Sequence, residues 1–322
     1  MTRKNQPATS ATRAPQRQRG AALIMALIIV AIAMILTTSL VWHSHLDLRR
    51  VTNQVYSGQA IAYAIGAEDW VRDILARDDR NIDHLGEPWA SSAARFPIEG
   101  GTLVGQITDL QGRFNLNNLY DPAQEAPRES HVTAFRELLA LTGSDENIAD
   151  ALLDWQDPDI EPSGFGGAED SAYSRRTPPY LTPNAALSSP SELRAVANVT
   201  PEMYSALQEL VAAIPDEGNL VPVNVNTAPP LVLQAIGNEL TEADAAAILQ
   251  YREQGGIASL DELDNLIGEN KLPADHFSVQ SSWFLLTVRA EIGSTSVTMY
   301  SVLRRDPTTG VVRTVARTLG TY

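Results

Sequence analysis

The residues best suited to chemistry lie in one acidic stretch. Asp154-Trp155-Gln156-Asp157-Pro158-Asp159-Ile160-Glu161-Pro162 is followed by glycines at 164, 166 and 167 and then by Glu169-Asp170. Carboxylates gathered on a loop bent by glycine and proline suit Ca²⁺, which takes about six to eight oxygen ligands at roughly 2.3–2.6 Å. The loop is not an EF-hand, because the Asp-x-Asx-x-Asx-Gly order is missing. Asp157, Asp159, Glu161, Glu169 and Asp170 are the candidate ligands. The competing reading is a solvated acidic loop. Against it, a long irregular segment inside a folded domain needs something to hold it, and a cation does so directly. Catalysis finds little support, and no catalytic residue is assigned. The chain has no cysteine, no His-x-x-x-His pair, no Walker loop and no dinucleotide fingerprint.

A second pattern occurs twice. Asn115-Leu116-Asn117 leads, after a polar gap, to apolar helical stretches at 135–141 and 148–155. Asn224-Val225-Asn226 leads in the same way to stretches at 231–236 and 245–252. Each is an Asn-x-Asn entry, a helix, a short turn and a helix, which reads as an internal duplication of a small helical unit. The second unit resembles a helix-hairpin-helix, a module that in DNA-binding proteins aims backbone N–H groups at a phosphate. Here the hairpin reads Gly237-Asn238-Glu239-Leu240-Thr241-Glu242-Ala243-Asp244. Its second glycine is absent and three acids crowd the phosphate position. A packing or protein-contact role is therefore favoured, and a membrane-tethered DNA-binding protein is the alternative.

The elements that position these residues begin with an apolar run. Residues 21–36 are all apolar, and residues 21–42 contain no charge. About 20 such residues in a helix span a bilayer core. The preceding residues 1–20 hold five cations (Arg3, Lys4, Arg13, Arg17, Arg19) and no acid, which places the N-terminus in the cytoplasm. A secretory signal is cut after its apolar core. Here the small-residue site, Gly20-Ala21, precedes the core, so cleavage would leave the membrane helix in place. Beyond residue 42 the helix continues, with Leu48, Val51, Val55, Ala62, Ile65, Trp70 and Ile74 as its apolar stripe, broken once by Gly58. Residues 78–97 read as a polar connection. Strands are expected at 101–109, 284–292, 296–303 and 311–319, from their β-branched content and the turns between them. The formal net charge of −15, about −20 without residues 1–20, argues against nucleic acid and suits a soluble head.

A basic, acid-free leader with its cut site before an apolar core resembles the prepilin leaders of type IV pilins and type II secretion pseudopilins. That resemblance implies cleavage after Gly20 by a prepilin peptidase and methylation of Ala21. Pilins usually carry Glu at the fifth mature position, where it meets the N-terminus of the next subunit up; here Met25 stands there. The minor pseudopilin K family of type II secretion lacks this Glu. The chain is similar to that family in Gln111-Gly112-Arg113-Phe114-Asn115-Leu116-Asn117, in the acidic loop with Gly167-Ala168-Glu169-Asp170, and in Asn224-Val225-Asn226-Thr227-Ala228. The resemblance implies an α+β fold: a pilin-like long N-terminal helix packed on a small antiparallel sheet, with a large inserted all-helical domain of two helix-hairpin-helix or SAM-like units. Its implied limits are 1–20 leader, 21–42 transmembrane helix, 43–111 with 281–322 head, and 112–280 insertion. Membership would put the protein at the tip of a periplasmic pseudopilus, anchored by a single pass in the inner membrane. The implied partners are minor pseudopilins I and J, other pseudopilus components and the inner-membrane platform. The resemblance also implies Ca²⁺ binding in the helical domain and no enzymatic activity.

Overall fold

A computed structural model describes residues 18–91, 93–215 and 219–322. By internal contacts the chain divides into two compact units, Met1–Tyr56 and Ser57–Tyr322. Helix α1 spans Gln18–Arg77, so Gly58 does not interrupt it. In the first unit the apolar side chains from Leu23 to Trp42 are exposed, and the helix is long and apolar enough to cross a membrane.

In the second unit α1 buries Ala60, Ala64, Glu68, Val71 and Leu75, at steps of three and four residues. This is a different stripe from the one expected: Ala62 is exposed and Trp70 half exposed. Hydrophobic register is a poor guide here because the packed face contains a carboxylate. Glu68 accepts hydrogen bonds from Ser301 Oγ (2.6 Å), Thr314 Oγ1 (2.6 Å) and Arg317 Nε (2.9 Å), which lets it sit against the sheet. Strand β1 (Ala94–Ile98) lies where a polar connection was expected, and β2 (Gly101–Asp109) follows. Pro97 argues against a strand in the sequence; it is tolerated because β1 is an edge strand.

After β2 the chain leaves the sheet for two helical repeats. The first comprises β3 (Phe114–Asn115), the short ladder of β4 (Tyr120–Asp121) and β5 (Ala126–Pro127), α2 (Glu129–Leu141), α3 (Ile148–Asp154), α4 (Asp170–Tyr173), α5 (Pro201–Leu207) and β6 (Val211–Ala212). The second comprises β7 (Val223–Asn224), α6 (Pro230–Ile236), α7 (Glu242–Arg252), α8 (Asp261–Ile267) and β8 (Phe277–Ser278). Each repeat closes on itself through a two-residue parallel ladder, β3 with β6 and β7 with β8. One apolar core joins them, with Phe114, Phe135, Leu138 and Leu152 from the first repeat and Val225, Leu233, Ile248 and Phe277 from the second.

The chain then returns through β9 (Trp283–Ile292), β10 (Thr295–Arg305) and β11 (Val312–Leu319). The sheet order is β1-β2-β9-β10-β11, antiparallel throughout, so the early hairpin pairs with the last three strands. A polar seam fastens repeats to sheet. Asp109, at the end of β2, is buried and accepts hydrogen bonds from Thr227 Oγ1 (2.6 Å), Ser281 Oγ (2.6 Å) and Asn224 Nδ2 (3.1 Å).

Candidate functional site

The duplication shows why the acidic loop lies where it does. In the first repeat Asn117 accepts from Leu187 N–H (2.8 Å) and donates to Leu187 C=O (3.0 Å). In the second, Asn226 accepts from Ile257 N–H (2.7 Å) and donates to Ile257 C=O (3.0 Å). Each second asparagine of an Asn-x-Asn entry thus pins one incoming apolar residue by both backbone groups. In the second repeat only residues 253–256 separate α7 from that residue. In the first, residues 155–186 separate α3 from it, and the acidic loop is this insertion.

Helix α3 supplies the foundation. Asp150 and Asp154 are four residues apart, hence on one face, and both are buried. Asp150 Oδ1 accepts from Arg136 (2.6 Å) and its Oδ2 from Gly166 N–H (3.1 Å). Asp154 accepts from Ser163 N–H (2.9 Å) through Oδ1 and from Ala168 N–H (2.6 Å) through Oδ2. The returning loop is thereby laid on the helix, and it carries Glu169 to the side of Asp154 and Asp157.

Asp154, Asp157 and Glu169 are all buried and each offers an oxygen within 4.8 Å of the others. Asp157 Oδ1, both Glu169 oxygens and Asn184 Oδ1 are buried without a hydrogen-bond partner. Orphaned buried oxygens are costly. Burial, reinforced by the neighbouring carboxylates, pushes Asp157 up to about 6 and Glu169 up to about 7. Such a cluster is relieved by a proton or by a cation, and an all-oxygen set suits a hard divalent ion. Of the sequence candidates, the structure brings Asp157 and Glu169 together. Asp159 and Glu161 are exposed, with Asp159 Oδ1 accepting from Glu161 N–H (2.7 Å). Asp170 turns aside to accept from Thr182 Oγ1 (2.8 Å) and N–H (3.0 Å). Asp154 lies outside the ligand set expected from sequence. The three-residue step from Asp154 to Asp157 was a signal for it.

Family models described as Type II secretion system (T2SS), protein K, match residues 112–216 and 223–280. The type II secretion system protein K of Aeromonas hydrophila is 34% identical, over 90% of this chain and 94% of its own. That of Pseudomonas aeruginosa is 34% identical, over 94% and 93%. The chain belongs to the type II secretion system protein K family. Its fold matches a chain in the crystal structure of the GspK-GspI-GspJ complex from the enterotoxigenic Escherichia coli type 2 secretion system, with a TM-score of 0.71 and 26% identity. The match covers 85% of this chain and 100% of that one.

Within this protein K fold, the hairpin between α6 and α7 is braced by the repeat's own groups. Thr241 and Asp244 form a capping box on α7, Lys271 Nζ contacts Asp244 (2.5 Å), and Asn238 N–H donates to Lys271 C=O (2.9 Å). The N–H groups of Gly237, Asn238, Thr241 and Asp244 thus have partners within the chain. Gly20, Ala21 and Met25 lie exposed in α1, while residues 1–17 of the expected leader fall outside the described residues.

Proposed function

We propose that this chain is a minor pseudopilin that works at the tip of the type II secretion pseudopilus and assembles there with minor pseudopilins I and J. The observation that carries this reading is the likeness to a chain of a solved GspK-GspI-GspJ complex over 85% of the sequence. Met25 supports the tip position: a subunit without Glu at that place offers no counter-charge to a subunit above it. The basic leader supports a cytoplasmic N-terminus, and hence a periplasmic head. The chain needs no catalytic group for this role, and we read it as non-enzymatic. Deleting the gene should leave exported proteins inside the cell, and the intact gene should restore export. Unimpaired export in the deletion strain would refute the assignment.

In the same reading, Asp154, Asp157 and Glu169 would hold Ca²⁺. The orphaned oxygens support the fit. When bound, the ion neutralises the buried carboxylates and ties the inserted loop to α3. A bound ion adds RT ln(1 + [L]/Kd) to stability, about 2.7 kcal/mol at a hundredfold excess over Kd. EDTA should therefore lower the melting temperature of the protein, and Ca²⁺ should restore it better than Mg²⁺. Asp157→Asn with Glu169→Gln should remove the difference. Identical melting curves with EDTA and with Ca²⁺ would mean that the cluster is relieved by protons alone.

A further inference from the structure

Phe165, on the inserted loop, is fully exposed, at 104% of its reference area. One exposed apolar side chain is ordinary. The way this one is held is not. A Cβ on Gly164 would lie 2.3 Å from Asp150 Oδ2, and one on Gly166 would lie 2.0 Å from Asn147 C=O. On Gly167 it would lie 2.3 Å from Ser163 C=O. The backbone on both sides of Phe165 is thus pressed onto the start of α3, where only glycine fits, and Asp150 and Asp154 fasten it there by hydrogen bonds. With its flanks laid flat, the ring between them projects into solvent. Ile160 (74% exposed) lies on the same loop, next to the Asp159 carbonyl that Asn184 Nδ2 approaches (3.5 Å).

We propose that Phe165 is a docking knob for a folded protein partner that presents an apolar pocket rimmed by Lys and Arg. The charge pattern selects that partner. From residue 137 to residue 174 there is no Lys or Arg, and the adjoining Arg136 is ion-paired with Asp150 (2.6 Å), while Asp145, Glu146, Asp159 and Glu161 are all exposed in this stretch. An anionic lipid surface or a nucleic acid is repelled by such a rim, and an identical acidic rim on a second copy is repelled too. Aromatic side chains that fill well-packed, desolvated pockets are common binding hot spots.

The test places the photo-crosslinking residue p-benzoylphenylalanine at position 165 of the full chain, in cells that run the complete secretion system. The same residue at exposed position 85 is the control. The expected result is a protein adduct whose crosslinked peptide carries Lys or Arg beside apolar residues. Its yield should fall about fivefold or more when Asp159→Lys and Glu161→Lys reverse the rim. Phe165→Ser should leave the melting temperature of the purified protein unchanged, separating docking from folding. An adduct yield no higher than at position 85, an adduct with lipid or with a second copy, or a yield indifferent to charge reversal would overturn the proposal.

Discussion

Glu68 shows what one residue can hide. It occupies the middle of the apolar stripe of α1, where composition alone would place it in solvent. Burial opposes its charge, but hydrogen bonds from Arg317, Ser301 and Thr314 outweigh burial and hold the carboxyl at about 2, well below its ordinary 4.5. A carboxyl depressed in the folded state stabilises the fold above its unfolded pKa and loses that contribution as pH falls through the folded value. The native protein should therefore lose stability between about pH 4.5 and pH 2. Glu68→Gln should cost on the order of 2 kcal/mol at pH 7, with the gap closing across that window. Denaturant titrations at pH 7 and pH 3 measure it, and an equal gap at both would contradict the ion pair. The cation site was half legible for a related reason. Sequence shows which acids share a loop, but not that Asp170 would turn to Thr182 or that Asp159 would cap its own turn.

Elements were easier to read. The late strands, the repeat helices and the long first helix follow from periodicity and turn residues, and the structure has them close to the expected limits. The duplication was visible as two Asn-x-Asn entries. What those asparagines do was not, because their partners, Leu187 and Ile257, are 70 and 31 residues away. Asn226 is fully buried and meets both backbone groups of Ile257. Asn226→Ala should destabilise the protein by about 3 kcal/mol, because two buried backbone groups lose their partner. Asn226→Asp should recover only the bond from Ile257 N–H. A melting temperature unchanged in the alanine variant would show that the pinning is incidental. The α6–α7 hairpin gives a different expectation: a gel shift at low salt, where electrostatic binding is strongest, should show no DNA complex at micromolar protein.

At the scale of the whole molecule, the chain pairs a membrane-length apolar helix with a folded unit that starts at Ser57. Residues 18–77 form a single helix, so cutting after Gly20 would leave Ala21 as the first residue of the apolar segment. Mass spectrometry of the N-terminus should find methylated Ala21 in a strain with active prepilin peptidase, and Gly20→Val should leave residues 1–20 attached. The order of motifs along the chain carried the overall architecture, since no single motif decides between a pseudopilin and a plain signal anchor. The partners were legible only through that resemblance; nothing in the spacing of residues names them. Assembly is therefore the property to measure first. Native mass spectrometry of the detergent-purified full chain, mixed with minor pseudopilins I and J of the same system, should show one heteromeric species containing all three. Three separate proteins at micromolar concentration would contradict the assignment.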